Sequence, residues 1–408
     1  MKCRHCDTPL DLVFLDLGFA PPSNAYLTSD DLNASEHYFP LKLLVCDQCW
    51  LVQTDDYAKA DELFSNDYAY FSSISKSWLN HSLAYFELVQ NRFSLNSNSY
   101  VIEVASNDGY LLKNFVAKNI PCMGIEPTAS TAAAAEILGV PVLREFFGSE
   151  LAEKLVKEGK YADLIIGNNV YAHVPDINDF TKGLKKLLKP DGVITLEFPH
   201  LMRLIEHAQF DTAYHEHFSY LSLTAVSCVF KAAGLRVWDV EELNTHGGSL
   251  RVFGCHEGSV KITSSSVNHI LKQELKNGLL DIATYHDFQV RAQKIKNTLV
   301  SFLIEQKNAG KSVAAYGAAA KGNTILNYAG IRTDLLPYVC DSAPSKQGMY
   351  MPGSHIPIIS PEVLRERKPE YILILPWNIA EEVMDEHSYV KEWGAKFVTV
   401  VPELRVIE

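Results

Sequence analysis

The stretch Val101–Leu112, VIEVASNDGYLL, constrains the fold more than any other: an apolar run carrying Glu103, a small-residue turn through Ala105, Ser106, Asn107, Asp108 and Gly109, then an apolar helix start. A strand that empties through such a turn into a helix N-terminus turns backbone N–H groups toward a ligand. Cys122–Pro127 (CMGIEP) reads as a second short strand, ending in Glu126 and Pro127 where a doubly wound sheet sets an acid against a ribose diol. Tyr161–Val170 (YADLIIGNNV) has the acid-then-apolar run of a further strand and ends on Asn168 and Asn169. Lys189–Phe198 (KPDGVITLEF) is a glycine turn feeding the next. These runs predict an α/β chain built on a doubly wound sheet.

The series resembles the S-adenosylmethionine-binding core of class I methyltransferases. Their first-strand pattern, acid-x-Gly-x-Gly-x-Gly, is occupied here by Glu103, Ala105, Asn107 and Gly109, so two of three glycines are replaced. Asn reaches left-handed geometry more readily than most residues, which leaves the tight turn open to this sequence. On the motif alone, an ordinary βα turn of an α/β enzyme is the other reading. The resemblance assigns cofactor contacts to Glu103, Ala105, Ser106, Asn107, Asp108, Gly109, Glu126, Pro127, Asn168 and Asn169.

Ahead of this core stand two C-x-x-C pairs, Cys3 with Cys6 and Cys46 with Cys49. Two thiolates at that spacing chelate one edge of a tetrahedral zinc ion, and a second knuckle completes it. The gap between the pairs is longer than in compact zinc ribbons, and redox dithiols are the competing reading. Four thiolates close the coordination sphere, so the zinc is expected to be structural. His5, between Cys3 and Cys6, is read as exposed rather than as a ligand. Eight cysteines in 408 residues do not make a disulfide framework.

That length suggests two or three domains. A net charge of −12 argues against a nucleic-acid coat, which needs a basic field. No run of about 18 apolar residues predicts a membrane span. The start MKCRHCDTPL lacks an apolar signal core. The chain is expected to be cytoplasmic, a monomer or homodimer acting on a small molecule.

The densest chemistry lies in Asp211–Tyr220, DTAYHEHFSY, with Tyr214, His215, Glu216, His217 and Tyr220 in one window. A His beside a carboxylate can serve as general base, because the carboxylate fixes the tautomer and stabilises the imidazolium. A two-His metal site and simple polar packing compete with that reading. His173, in NNVYAHVPD, falls at a predicted strand end, where α/β sheets hold ligands. Asp61–Ser77 brings Tyr68, Tyr70 and Phe71 next to a serine cluster, and a helix is predicted over Trp78–Phe93.

A third region opens at Asn244 with THGGSLRVF, a Gly-Gly turn into a strand that carries His246 and Arg251. Ile270 to Lys307 is helix-prone. Ser312–Leu326, SVAAYGAAAKGNTIL, is another strand, small-residue loop and helix, with Gly317 and Gly322 bracketing Lys321. Gly-Asn stands where a Walker loop needs Gly-Lys-Ser/Thr. Backbone amides, a helix N-terminus and one Lys nevertheless suit a diphosphate, with a packing turn as the plainer reading. Strands are predicted at Tyr338–Asp341, His355–Ile359, Tyr371–Leu375 and Lys396–Val401, which makes a second α/β domain.

Taken together, the four-Cys module, SNDG in the first loop, YHEHFSY, HGGSLRVF and AYGAAAKGN resemble, in this order over nearly the whole chain, the sugar C-methyltransferases of deoxysugar biosynthesis. The resemblance implies a zinc-binding module (1–75), a methyltransferase core (76–240) and a Rossmann-like nucleotide-sugar-binding domain (241–408). It implies transfer of a methyl from S-adenosylmethionine to a ring carbon, typically C-3, of a nucleotide-linked 4-keto-6-deoxy sugar. Catalytic roles fall to Tyr214, Glu216 and His217, with His173 and Tyr68 near the sugar. Tyr70, Phe198, His246, Arg251, Lys321 and Asn323 are the remaining substrate candidates. In this reading His217 takes the proton, Glu216 orients it, Tyr214, Tyr68 or His173 donates to the ketone oxygen, and Lys321 holds the diphosphate. An O- or N-methyltransferase on a nucleotide sugar, and a non-catalytic zinc-stabilised binding protein, are the competing functions.

Overall fold

A computed structural model describes residues 1–55 and 71–408. Tyr68 and Tyr70 lie outside the described residues. Among those described, the strands form three sheets.

The first is antiparallel, in the order β1 (Leu12–Ala20), β2 (Phe39–Val45), β3 (Val52–Thr54) and β9 (Ser219–Tyr220). Its last strand comes from DTAYHEHFSY, with Val52 opposite Tyr220 and Gln53 opposite Ser219. The N-terminal module therefore holds the C-terminal end of the most chemically dense loop.

The second sheet is the doubly wound sheet expected from the runs around Val101–Leu112. Its parallel part comprises β4 (Val101–Val104), β5 (Cys122–Ile125), β6 (Val142–Leu143), β7 (Ala162–Asn168) and β8 (Leu188–Pro199). Strands β10 (Leu235–Leu243) and β11 (Ser249–His256) complete the order β10-β11-β8-β7-β4-β5-β6, with β11 antiparallel to both of its neighbours, β10 and β8. All four residues of β4 are buried, as expected of a strand covered on both faces. The division expected at 240/241 cuts through β10. The HGGSLRVF strand belongs to the core sheet, because β11 needs β8 to satisfy its backbone groups. The glycine turn expected at Asp191 and Gly192 is absorbed into the start of β8, with the register irregular between Ala162 and Leu164.

Helix Lys76–Phe93 starts where Ser75 Oγ accepts the Trp78 N–H at 3.2 Å, and it buries Ser82, Tyr85, Phe86 and Val89 along one face. The helix-prone stretch after β11 is two helices, Ser265–Lys276 and Ile282–Asn308, parted at Gly278 with φ +77°. The longer one buries Tyr285, Phe288, Ala292, Ile295, Leu299 and Phe302 at helical spacing. Phe14 of β1 stacks on Phe288 at 4.6 Å, so this helix sits in one apolar core shared by the N-terminal sheet and the C-terminal domain.

The third sheet runs β14 (Ile358–Ile359), β13 (Val339–Cys340), β12 (Val313–Tyr316), β15 (Tyr371–Ile374), β16 (Lys396–Thr399) and β17 (Arg405–Ile407); only the last is antiparallel. Both α/β sheets reverse their winding beside the first strand of the unit, between β4 and β7 and between β12 and β15. Open α/β sheets bind ligands in the crevice at such a reversal.

Candidate active site

In the core, the three positions of the first-strand pattern all adopt left-handed backbone: Ala105 at φ +56°, Asn107 at +50° and Gly109 at +75°. The turn keeps its geometry although two glycines are gone. At Gly109 the requirement is also steric, because a Cβ would meet the Ala135 Cβ at 2.9 Å. Glu126 binds the turn from the next strand, its Oε2 accepting the Asn107 N–H at 2.9 Å and its Oε1 the Thr128 N–H at 3.0 Å. The adjoining segment leans on the same loop: Ser72 N–H donates to Asn107 Oδ1 and Ser73 N–H to Asp108 Oδ2, both at 3.0 Å.

Around this crevice, Glu103 Oε2, Ser106 Oγ, Asp108 Oδ1, Asn168 Oδ1 and Asn169 Nδ2 are buried with no hydrogen-bond partner among the described residues. Burial, reinforced by Glu126 and Asp108, pushes the Glu103 carboxyl well above the usual range. Buried polar groups left unpaired are costly unless something satisfies them. The set suits the hydroxyls, ammonium and sulfonium of S-adenosylmethionine. Pro127 follows Glu126, half-buried, at the crevice edge.

The four N-terminal thiols gather as the spacing requires. Cys3 and Cys49 Sγ are 3.5 Å apart, Cys6 and Cys46 3.5 Å, Cys6 and Cys49 3.7 Å, and all four lie within 4.8 Å of one another. A tetrahedral zinc with Zn–S near 2.3 Å puts sulfurs about 3.8 Å apart, so the cluster fits. Each knuckle closes alike: Asp7 N–H donates to the Cys3 carbonyl and Trp50 N–H to the Cys46 carbonyl, with Asp7 and Trp50 at φ near +60°. His5 stands aside, its Nδ1 2.8 Å from Asn178 Oδ1.

The DTAYHEHFSY loop meets His173 in a buried aromatic nest. The His217 ring lies 4.0 Å from that of Tyr214, 4.6 Å from His173 and 5.8 Å from Tyr220. His217 Nδ1 is 3.1 Å from the Thr212 carbonyl, which only accepts, so Nδ1 carries the proton and Nε2 presents a lone pair. Burial, with His173, His246 and Lys321 nearby, pulls its pKa well below the usual value, so the ring is neutral near pH 7. A neutral imidazole with an available lone pair is able to accept a proton.

Two expected roles change. Glu216 does not orient His217: its Oε1 accepts from Asn24 Nδ2 at 3.1 Å, while the Thr212 carbonyl holds the imidazole. His173 donates Nδ1–H to the Glu216 carbonyl at 2.8 Å, and burial lowers its pKa to about 4. A neutral imidazole with Nδ1 protonated has only an acceptor at Nε2. His173 therefore has no proton to offer a ketone oxygen.

Three sequence profiles divide the chain in the same order as the fold: a zinc binding domain at residues 3–64, a methyltransferase domain at 78–240 and a C-methyltransferase C-terminal domain at 244–402. C-methyltransferase NovU of Streptomyces niveus is 34% identical over 408 residues, covering 100% of this chain and 96% of that protein. The chain belongs to the C-methyltransferase family. It is an S-adenosylmethionine-dependent C-methyltransferase. Solved structures similar to it include protein PH0226 from Pyrococcus horikoshii OT3 (16% identity, 46% of this chain and 94% of that one, TM-score 0.37) and the Synechocystis magnesium protoporphyrin IX methyltransferase ChlM with bound SAM (13%, 44% and 79%, 0.33).

The third domain of this C-methyltransferase brings its own reversal point to the same place. Lys321 Nζ donates to Asn378 Oδ1 at 2.9 Å and lies 4.5 Å from the centre of the Trp377 ring. Trp377 Nε1–H donates to Asp211 Oδ2 at 2.7 Å. The ring also packs on Gly247, where a Cβ would come within 2.4 Å of it. His246, next in chain, holds φ +54° and lies 5.4 Å from the Trp78 ring. Burial sets the electrostatics: His246 falls to about 4, Lys321 to about 8, and Asp211 rises to about 6. His173, His246 and Lys321 each retain some solvent access.

Other expected substrate contacts lie elsewhere. Arg251 spends its guanidinium on Glu197 Oε1 (2.7 and 2.6 Å) and Glu241 Oε2 (3.0 Å), and it sits over Tyr85. Phe198 is fully buried in the core beside β7. Asn323 is buried, with Oδ1 accepting from Asn327 Nδ2 and Nδ2 unpaired. Residue-by-residue reading missed Asn24, Asp211, Thr212, Trp377 and Asn378. The last two carried a signal, since they follow β15 at the carboxyl end beside the winding reversal.

Proposed function

We propose that this C-methyltransferase acts on a nucleotide-linked 4-keto-6-deoxy sugar, at C-3 beside the ketone, through an enolate. The supporting observation is the His217 tautomer: a buried, neutral imidazole with Nδ1 committed to the Thr212 carbonyl and Nε2 free. A carbon next to a ketone gives up its proton only to a placed base, with the developing oxyanion stabilised. In this reading His217 Nε2 takes the C-3 proton, the C–H pair becomes the enolate C=C, and the carbonyl π pair moves to oxygen. S-adenosylmethionine supplies the electrophilic methyl that the enolate carbon accepts, with the C–S pair leaving on sulfur and the ketone restored. Tyr214, its ring tilted against that of His217 at 4.0 Å, would lie beside the reacting carbon as a hydroxyl donor. Buried Glu216, with Oε1 held by Asn24 and Oε2 unpaired, offers an acceptor to a sugar substituent.

Incubation with S-adenosylmethionine and a panel of thymidine-, guanosine- and cytidine-linked 4-keto-6-deoxyhexoses tests this reading. One added methyl on carbon by proton NMR is expected for at least one of them. A methyl on oxygen or nitrogen, or no transfer across the panel, would sink it.

A further inference from the structure

Among the described residues, the enolate reading supplies a neutral donor in Tyr214 and leaves open which cation meets the developing charge. The two histidines nearest the reacting carbon, His217 and His173, each commit Nδ1–H to a backbone carbonyl and turn an acceptor lone pair inward. Neither binds an oxyanion. Negative charge growing on the ketone oxygen needs a cation or strong donors already in place.

We propose that Lys321 is a catalytic residue that stabilises the enolate oxygen, acting from the C-terminal domain into the active site of the core rather than anchoring a diphosphate. The inference rests on the keto-sugar reading above. Its geometry runs through Trp377, which touches Lys321 on one side, hydrogen-bonds Asp211 on another and packs on Gly247 on a third. Asp211 is joined by one peptide bond to Thr212, the residue that fixes the base. Lys321 is thus built into the wall that carries His217 and His246. The helix bearing it, Ala320–Ala329, is pinned to that wall, with Thr324 Oγ1–H donating to the Ala213 carbonyl at 2.8 Å.

The Lys321 setting suits a transition-state contact. Its hydrogen bond to Asn378 uses one of three N–H donors and leaves others for a ligand. With a pKa lowered to about 8 it stays mostly protonated at neutral pH. The Asp211 carboxyl, pushed up to about 6, keeps one oxygen buried and unpaired. Its charge favours the protonated ammonium from a distance, without an ion pair to it. No proton is transferred by Lys321: it holds the oxygen while His217 takes and later releases the proton.

The test uses the full chain, a 4-keto-6-deoxyhexose nucleotide that the wild type methylates, and Lys321→Met beside Lys321→Arg. Calorimetric binding of S-adenosylmethionine, at a crevice in another domain, reports folding. Lys321→Met is expected to lower kcat, and deuterium wash-in at C-3 with S-adenosylhomocysteine bound, by roughly 10²–10³-fold, the usual loss for one oxyanion donor. KM is expected within about threefold, and Lys321→Arg is expected to recover part of the rate. A KM raised more than about tenfold with kcat unchanged would return Lys321 to the diphosphate and overturn the proposal. So would wash-in by a folded Lys321→Met at the wild-type rate. If Lys321→Met fails to bind cofactor, Lys321→Arg decides: full wild-type kcat with raised KM again overturns the proposal, and lowered kcat with unchanged KM supports it. Absence of wash-in by the wild type would instead count against the keto-sugar reading itself.

Discussion

The two α/β domains solve the same backbone problem with different residues. In the core, β4 empties through Ala105–Gly109 and the acid after the neighbouring strand, Glu126, accepts the loop N–H of Asn107 and the N–H two residues beyond itself. In the C-terminal domain, β12 empties through Gly317–Ala319, and Asp341 accepts the loop N–H of Ala318 at 2.7 Å and the N–H two residues on, at Ala343, at 2.8 Å. Both crevices open where the winding reverses. What differs is the lining. The core crevice holds unpaired oxygens on Glu103, Ser106 and Asp108, a surface for a cationic cofactor. The C-terminal crevice holds Lys321, a surface for a developing anion. One fold device is used twice, and the C-terminal copy reaches the loop that carries His217 through Trp377 on Asp211 and Thr324 on Ala213.

The strongest way to break this comparison is to remove the proposed base. His217→Asn should lose about 10²–10⁴ in kcat, the usual worth of a general base, with S-adenosylmethionine affinity unchanged by calorimetry. Unchanged turnover would take His217 out of the mechanism.

The backbone of the two turns can be set against each other next. Gly317 holds φ +94°, and a Cβ there would lie 2.4 and 2.6 Å from the Pro376 ring. Gly317→Ala should therefore cost on the order of 3 kcal/mol of stability, from strain and overpacking together. Denaturant titration reads this directly, and a cost under about 1 kcal/mol would mean that the two loops are not pinned alike.

Exchanging the acids separates the ligands. Glu126→Gln removes the charge from two hydrogen bonds, each charge-assisted bond being worth about 1.5–3 kcal/mol, and should weaken S-adenosylmethionine binding by roughly tenfold or more. Asp341→Asn should leave that affinity within about twofold and act on the sugar nucleotide KM. A cofactor effect from Asp341→Asn would contradict the division of labour.

The smallest effect sharpens the likeness. Ala105 pays for its left-handed φ with its own Cβ, so Ala105→Gly should be neutral to stabilising by about 1 kcal/mol. A loss of more than about 1 kcal/mol would show that the Ala105 methyl has a packing role in the turn.

Much of this was legible from residue order, because the signals were local. The four cysteines, the loop after β4 and the acid after β5 are each defined within a few residues, and the left-handed turn survived the loss of two glycines because position, not glycine itself, is what the strand-to-helix bend demands. Tertiary facts were hidden. Nothing in DTAYHEHFSY says that Glu216 turns away to Asn24, some 190 residues earlier, or that a backbone carbonyl replaces it behind His217. Arg251 looks like a free cation in HGGSLRVF until the sheet places Glu197 and Glu241 beside it. The place of HGGSLRVF was hidden for a related reason: a Gly-Gly turn into a strand is legible, and only the pairing of β11 with β8 shows which sheet that strand joins.

The central claim is that His217 forms an enolate before any methyl moves. Deuterium wash-in tests it most directly: the methyltransferase with S-adenosylhomocysteine and the proposed keto-sugar nucleotide in deuterated water, followed at C-3 by proton NMR. Exchange by the wild type, slowed at least about 10²-fold in His217→Asn, is the outcome this account requires. Methylation at carbon with no exchange in the wild type, or exchange at equal rates in both proteins, would contradict it.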